Sequence, residues 1–262
     1  MNLEIISKQP ASSPHPSPLL FVHGAWHGAW CWTEHFLDYF AAHGYAAHAL
    51  SLRGHGGSPG RDRLRWSSIS DYVADVAQVA SQLSKPPVFI GHSLGGAVIQ
   101  KYLETHSAPA AVLLASVPPA GALATTLRIA RRHPIEFIKT NILLSLYPLV
   151  GTPKLTRESL FSPSMSDDKV LSYFALIQDE AYRAFLDIVA FNLPKPKRVH
   201  SPVLVMGAVN DTVFYPYEIE ATARAYGTQA VIFPDMAHDM MLEKGWQSVA
   251  DRIIAWLSEK GI

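Results

Sequence analysis

A serine stands between two glycines at residues 91–95, in the order Gly-His-Ser-Leu-Gly. An apolar run at residues 88–90 precedes it and a helical pattern at residues 94–106 follows it, so the serine falls on a strand-to-helix turn. The glycines let such a turn close tightly, which strains the serine backbone and exposes the hydroxyl at the carboxyl edge of a sheet. We therefore predict that Ser93 is a nucleophile; the alternative is a structural turn with a capping serine.

A serine hydroxyl needs a base to take its proton, and the base needs a carboxylate to orient it. Asp211 and His238 each follow an apolar run and come after Ser93 in the order that such sites use. We predict that they are the acid and the base. Asp235 is the rival acid, but it lies in the same loop as His238 and would have to fold back. The structural alternatives are a turn-forming aspartate and an ordinary loop histidine.

Acyl transfer also needs N–H donors aimed at the oxyanion. The backbone N–H of Leu94, directly after Ser93, is one candidate. The second should come from the loop after the first buried strand, where Gly24 lets the backbone approach closely and Ala25 is the predicted donor. Each such donor typically contributes about 3 kcal/mol of transition-state stabilisation.

Three more histidines, His23, His55 and His92, lie in loops near these positions. All of them precede or adjoin the serine, so they do not fit the chain order expected of the base. We predict structural roles for them.

Short apolar runs alternate with helical patterns on both sides of these residues, as in a parallel sheet. The predicted strands are residues 19–22, 45–52, 88–90, 110–115, 203–206 and 230–233. The predicted helices are residues 33–43, a helix capped by Ser70 and ending near Leu83, and residues 94–106, 218–226 and 246–260. The fold class is therefore α/β, with a mostly parallel, doubly wound sheet and helices on both faces.

The segment from about residue 118 to residue 202 has no convincing strand. It shows helical patterns at residues 127–141 and 168–191, and it is broken at Pro134, Pro148, Pro153 and Pro163. We predict a core made of residues 1–117 and 201–262 and a helical cap made of residues 118–200.

The predicted cap contains apolar residues that suit a small or medium apolar group. The candidate substrate-binding residues are Trp26, Phe137, Ile142, Leu146 and Tyr147. Packing of the cap on the core is the alternative for the cap residues, and core packing is the simpler interpretation for Trp26, Trp30 and Trp32. The cap also carries three clustered cations, Arg128, Arg131 and Arg132. For these we favour a solvated helix face over a carboxylate or phosphate site.

The composition limits the classes of function. The chain has 262 residues, 48% of them hydrophobic and 17% charged, which suits one domain with a large core. Its 22 basic and 22 acidic residues give no reason to expect nucleic acid as a partner. Cys31 is the only cysteine, so an intrachain disulfide and a thiolate metal cage are excluded. We predict no cofactor and no metal; the oligomeric state stays open.

The N-terminal segment lacks the basic start and the long apolar run of a secretory signal. The longest strongly apolar stretch, residues 141–150, is too short for a membrane span. We therefore expect a cytoplasmic protein without a stable membrane span.

Several motifs together resemble the α/β-hydrolase superfamily: residues 22–26 (Val-His-Gly-Ala-Trp), residues 52–58, residues 91–96, and the Asp211 and His238 positions. The sequence looks most like capped bacterial esterases and lysophospholipase-like members, and residues 23–32 also resemble plant methylesterases and hydroxynitrile lyases. This resemblance implies a catalytic triad, an oxyanion hole at Ala25 and Leu94, and a cap over the site.

Two positions depart from the family pattern. Ser51 stands where many relatives have an aspartate, which puts the bonding of the following loop in doubt. Asp239 stands where the hydroxynitrile lyases place a lysine, so a lyase of that kind would lose its positive charge.

The main functional hypothesis is a serine hydrolase that cleaves esters of small or medium apolar groups through an acyl-enzyme on Ser93, with a small-molecule ester as its partner. The alternatives are a lactone or thioester hydrolase, a cofactor-free lyase or C–C hydrolase, and a non-catalytic ligand receptor on the same fold.

Overall fold

The computed structural model describes residues 1–11 and 14–262. Within these residues, seven strands form one sheet in the order β1-β3-β2-β4-β5-β6-β7. The strands are β1 (Ile5–Lys8), β2 (Leu19–Val22), β3 (Ala47–Leu50), β4 (Val88–His92), β5 (Ala111–Leu114), β6 (Val203–Ala208) and β7 (Ala230–Phe233).

Strand β1 pairs with β3 in the antiparallel sense, and all other neighbours are parallel. The predicted doubly wound, mostly parallel α/β sheet is therefore confirmed. Because β2 to β7 all run in the same direction, their carboxyl ends meet at one edge of the sheet. The loops that follow β2, β4, β6 and β7 carry the predicted chemistry to that edge.

The central strands are buried on both faces. In β2, Leu19 and Phe21 pack into the apolar cluster on one face of the sheet, while Leu20 and Val22 pack into the cluster on the other. All four side chains are fully buried. This explains why the sequence shows continuous apolar runs at these strands and not an alternation of apolar and polar residues.

Eleven α-helices surround the described sheet. They are α1 (Trp30–Thr33), α2 (Phe36–Ala42), α3 (Ile69–Gln82), α4 (Ser93–Tyr102), α5 (Leu123–Arg132), α6 (Pro134–Leu143), α7 (Pro153–Leu160), α8 (Asp167–Phe174), α9 (Tyr182–Leu186), α10 (Pro216–Ala225) and α11 (Trp246–Glu259). Short 3₁₀ turns lie at Arg61–Trp66, Tyr147–Leu149 and Pro196–Arg198, and a π turn at Asp187–Phe191.

The structure differs from the sequence prediction at several elements of the core. Strand β1 was not predicted, because only Ile5 and Ile6 are apolar in it. The other two residues, Ser7 and Lys8, are exposed, as suits an edge strand. The helix predicted at residues 33–43 is found as α2, which is shorter; Thr33 instead ends α1, and Glu34 and His35 separate the two helices. Helix α3 is capped by Ser68 and not by Ser70: Ser68 Oγ accepts the Asp71 backbone N–H, and the Asp71 carboxylate accepts the Ser68 backbone N–H, which together form a capping box.

Between β5 and β6 the described chain contains helices and turns and no strand. Pro134 breaks the predicted helical pattern, as expected, and opens α6. The pattern at residues 168–191 is not one helix, because residues 175–181 leave the helical path. Asp179 there accepts hydrogen bonds from the backbone N–H groups of Leu146 and Tyr147, and Gln178 donates its N–H to the Trp26 carbonyl. These long-range bonds outweigh the local helical preference.

Cys31 lies fully buried in α1, and burial raises the pKa of its thiol well above the ordinary range. No helix among the described residues is both long enough and apolar enough to cross a membrane.

Candidate active site

The turn that carries Ser93 has the backbone strain expected of an exposed nucleophile. Ser93 directly follows β4 and begins α4, and its φ of 50° lies in the left-handed region that non-glycine residues rarely adopt. A Cβ at Gly91 would lie 2.8 Å from the Gly95 carbonyl oxygen, and one at Gly95 would collide with the carbonyl oxygens of Val22 and His23. The two glycines are therefore required by the closeness of β4, α4 and the loop after β2.

The imidazole of His238 faces a carboxylate that comes from another strand. His238 Nδ1 donates to Asp211 Oδ2 over 2.9 Å, and both side chains are buried. The second oxygen, Oδ1, accepts the backbone N–H groups of Val213 and Phe214 at 2.7 and 3.0 Å, which fixes the carboxylate. Burial by itself would lower the pKa of His238, but the charge and hydrogen bond of Asp211, together with the charge of Asp239, outweigh it and the pKa is raised.

Asp235, the rival acid, lies at an exposed turn with a φ of 56°, and Asp211 is the carboxylate that bonds His238. No hydrogen bond joins Ser93 Oγ to His238 in the described part of the chain. Such contacts are often loose in a site without substrate and tighten when substrate binds.

The loop after β2 lies beside the nucleophile. A Cβ at Gly24 would lie 2.9 Å from the Ser93 Cβ, so only glycine permits this approach. Ala25 and Leu94, the predicted oxyanion donors, both line the same cavity as Ser93. Trp26 in this loop has a φ of 68°, so the site has a second point of backbone strain besides Ser93.

A second buried histidine–carboxylate pair holds this loop to the loop that carries His238. His27 donates from Nδ1 to the Ala25 carbonyl at 2.6 Å and from Nε2 to Asp239 Oδ2 at 3.0 Å. Burial would lower the pKa of His27, but Asp239 raises it; conversely, His27 holds the pKa of Asp239 below its ordinary value against the effect of burial. Both imidazole nitrogens face acceptors, so His27 is a cation here.

The predicted structural histidines make contacts that fit that role. His23 Nδ1 donates to the Gly24 carbonyl and His23 Nε2 accepts the Leu52 backbone N–H, and burial lowers its pKa well below the ordinary value. His92 donates from Nε2 to the His238 carbonyl at 3.0 Å. Burial, together with the neighbouring His238, lowers the pKa of His92 to about 3, so His92 is neutral.

Ser51 is bonded by a carboxylate from a distant part of the chain. It donates to Glu4 Oε2 at 2.5 Å and accepts the Ala29 backbone N–H at 2.8 Å. Glu4 precedes β1 and also accepts the Gly57 backbone N–H. The bonding of the loop, which the serine at position 51 put in doubt, is therefore supplied by Glu4 from the segment before β1.

A largely apolar cavity of about 70 Å³ opens beside Ser93; we refer to it as the inner cavity. It is lined by Ala25, Trp26, Ser93, Leu94, Val117, Ala122, Thr125, Thr126, Ile129, Leu146, Leu149, Glu180, Phe185, Ile188, Val213 and Phe214. Of the predicted substrate-binding residues, Trp26 and Leu146 are in this lining, and the Trp26 indole N–H donates to the Leu146 carbonyl.

The structure does not bring Phe137, Ile142 and Tyr147 into the lining of the inner cavity. Ile142 is 74% exposed and Tyr147 is 37% exposed. Helical spacing identified α6 as partly apolar, but it could not say which face of α6 meets the site.

Glu180 is a buried carboxylate of the inner cavity that sequence reasoning missed. Its Oε1 accepts the Tyr72 hydroxyl at 2.7 Å and the Ala181 backbone N–H at 2.6 Å, and its Oε2 lies 3.2 Å from His55 Nε2. Burial opposes the charge, yet the His55 side chain and these hydrogen bonds lower the pKa of Glu180. No local motif marks this glutamate, because its partners come from distant segments.

The three clustered arginines do not form one solvated face. Arg128 donates to Glu218 Oε2 and to the Val213 carbonyl, both at 2.7 Å, and its guanidinium stacks on the Tyr215 ring. The predicted solvated face is therefore wrong for Arg128, because α10 supplies a carboxylate that the sequence could not place opposite it. Arg131 and Arg132 are exposed.

Beside the inner cavity lies a wider one of about 380 Å³, which we call the outer chamber. It is lined by Trp26, Arg128, Ile129, Arg131, Arg132, His133, Leu149, Ser159, Thr212, Val213 and Tyr215.

Known proteins resemble this chain in sequence and in fold. The profile of the Alpha/beta hydrolase family matches residues 19–252. A probable esterase of Oryza sativa, PIR7A, is 33% identical over 169 residues, which cover 58% of this chain and 63% of that protein. The match thus spans less than two thirds of the relative's length.

Among solved structures, BpoC of Mycobacterium tuberculosis H37Rv superposes with a TM-score of 0.79 at 19% identity, over 99% of this chain and 97% of that one. A monoacylglycerol lipase of Paleococcus ferrophilus superposes with a TM-score of 0.73 at 21% identity, over 99% of this chain and 100% of the lipase. At these identities the likeness establishes the fold alone.

Proposed function

The chain belongs to the alpha/beta hydrolase family, and from this premise we propose that it hydrolyses carboxylic esters through an acyl-enzyme on Ser93. The observation that carries the proposal is the buried Asp211–His238 hydrogen bond of 2.9 Å, at the sheet edge where Ser93 adopts its strained φ. The printed name of the plant relative, a probable esterase, supports the same reaction.

In the proposed reaction, His238 Nε2 takes the proton of Ser93 as Oγ attacks the ester carbonyl. The hydrogen bond from Nδ1 to Asp211 leaves Nε2 free for this step and stabilises the imidazolium that forms. The Ala25 and Leu94 backbone N–H groups receive the oxyanion. His238 then gives its proton to the departing alcohol. Water, activated by the same imidazole, hydrolyses the acyl-enzyme and releases the acid.

The size and polarity of the inner cavity support a short apolar group next to the scissile bond. Its volume of about 70 Å³ is small, and most of its lining is aliphatic or aromatic. In this proposal residues 118–200 act as a cap over the site, since Leu146, Phe185 and Ile188 supply part of that lining.

The nucleophile is tested with a fluorophosphonate, which loses fluoride as the serine oxygen bonds to phosphorus. We expect one adduct, mapped to Ser93 by peptide mass spectrometry, and no adduct in Ser93→Ala. A folded wild-type protein that stays unlabelled would contradict the proposed nucleophile.

The reaction class is tested with 4-nitrophenyl esters of rising acyl length, together with a lactone and a thioester. We expect the short-chain esters to be the best substrates and Ser93→Ala to be inactive. Labelling of Ser93 without turnover of any substrate would instead indicate a ligand receptor. Turnover that survives in Ser93→Ala would indicate a reaction without an acyl-enzyme.

A further inference from the structure

The lining of the outer chamber, within the described residues, contains basic side chains and no carboxylate. Every charged side chain in its lining is basic or an imidazole: Arg128, Arg131, Arg132 and His133. The chamber adjoins the inner cavity, because Trp26, Ile129, Leu149 and Val213 line both. A molecule bound at Ser93 therefore meets this basic wall if it extends beyond the inner cavity.

The nearby carboxylates only partly neutralise this wall. Glu218 pairs with Arg128 at 2.7 Å. Glu158 is shared: it lies 3.7 Å from Arg132, 3.5 Å from His133 and 4.0 Å from Lys154.

Arg131 differs from its neighbours, because no carboxylate of the described residues lies within 4 Å of its guanidinium. Neither Glu158 nor Glu218 is in the chamber lining. The surface presented to a ligand is thus positive, although the chain as a whole has no net charge.

We propose that the outer chamber binds a carboxylate at the far end of the ester substrate, in its acyl or its alcohol part. This inference rests on the ester hydrolysis proposed above and names the class of ester. Guanidinium groups suit it because their planar N–H donors match the two oxygens of a carboxylate. A concave wall of one sign also raises the local concentration of oppositely charged ligands.

The acyl arm of the test compares two esters of matched shape. The anionic member is mono-4-nitrophenyl glutarate. The neutral member is 4-nitrophenyl 5-methylhexanoate, in which an isopropyl group replaces the carboxylate. The alcohol arm compares 4-acetoxybenzoate with 4-acetoxybenzamide in the same way. We expect kcat/KM for the anionic member of at least one pair to exceed that of its neutral partner about tenfold at low salt.

Two variants assign any such preference to the chamber. In Arg131→Gln the anionic-to-neutral ratio of kcat/KM should fall about threefold, and in Arg131→Gln/Arg132→Gln about tenfold. The matched control is Arg224→Gln on α10, whose exposed guanidinium pairs with Glu220 and is not in either cavity lining. Its ratio should equal that of the wild type. Sodium chloride at 0.5 M should reduce the wild-type ratio, because the chamber is open to solvent.

Equal rates within both pairs, or a ratio that the arginine variants leave unchanged, would overturn the carboxylate site while leaving ester hydrolysis intact. If no ester of either pair is turned over, titration calorimetry of Ser93→Ala with the same four compounds measures their binding affinities without the reaction. Tighter binding of an anionic member, lost in Ser93→Ala/Arg131→Gln, would support the site; equal affinities would refute it.

Discussion

At the residue scale, the Asp211–His238 pair sets the pH range in which the proposed base works. The base is neutral above its pKa, and Asp211 raises this pKa against the effect of burial. Activity should therefore rise with pH through a midpoint above the ordinary histidine value of about 6.5.

Asp211→Asn removes the larger of the two carboxylate charges that raise the pKa of His238; the other is that of Asp239. We expect kcat/KM to fall by about 10⁴-fold and its midpoint to move to lower pH, because burial is then opposed mainly by the smaller effect of Asp239 and the imidazole loses its fixed orientation. A pH series of kcat/KM with a 4-nitrophenyl ester measures both. Asp235→Asn, at the exposed turn, is the control and should change neither. An equal loss in Asp235→Asn would make Asp235 the acid.

Asp239 acts through His27 on the position of Ala25. Asp239→Asn keeps a side chain of the same shape but removes one charge of a buried pair, so we expect a loss of about 3 kcal/mol in the free energy of unfolding. The oxyanion loop should loosen, with kcat about tenfold lower and KM nearly unchanged. Denaturant unfolding and steady-state kinetics on the folded variant test this. A stability loss with kcat intact would leave the pair a purely structural role.

The sequence could predict Ser93, Asp211 and His238 because each directly follows a buried strand, where a parallel sheet collects residues at one edge. It could not pair His27 with Asp239, since these residues are 212 positions apart and no local pattern links them. The repeated His-Gly-Ala-Trp of residues 23–30 was the one available signal that His27 has a role beside Ala25.

At the scale of elements, the fit of α4 against the loop after β2 depends on Gly95. In Gly95→Ala the new methyl group would collide with the Val22 and His23 carbonyl oxygens, which belong to the backbone and cannot move aside easily. We expect a loss of about 3 kcal/mol in the free energy of unfolding, measured by denaturant titration.

Gly227→Ala is the control that adds a methyl group in open space. Gly227 has a positive φ of 67°, which Gly95 in α4 does not, and nothing lies within 4 Å of its added methyl group. Its cost should be about 1 kcal/mol, from backbone strain alone. A loss in Gly95→Ala no larger than that in Gly227→Ala would mean that the tight contact of Gly95 costs no more than the strain of one left-handed residue.

Elements buried on both faces were the most predictable, because their apolar runs are continuous. Strand β1 escaped prediction because an edge strand needs few apolar residues. Residues 175–181 escaped it because Gln178 and Asp179 exchange their helical hydrogen bonds for bonds to Trp26, Leu146 and Tyr147.

At the scale of the whole molecule, the net charge of the chain does not predict the charge of its outer chamber. Equal numbers of acidic and basic residues gave no reason to expect a polyanionic partner such as nucleic acid, yet the outer chamber collects basic side chains from α5 next to the proposed nucleophile. Net charge averages over the surface, and only the fold determines which charges share a concave wall.

Cys31, the one cysteine of the chain, is buried, so its reaction with a thiol reagent can report when α1 opens. A disulfide reagent can react only when α1 leaves the core, so the rate of modification should follow the population of opened molecules. Because α1 closely follows the loop that carries Ala25, an inhibitor held on Ser93 should slow that rate, measured by the release of thionitrobenzoate. An unchanged rate would mean that α1 opens independently of the site. The rate at which this one thiol is modified would thus report how often the loop that receives the oxyanion opens together with α1.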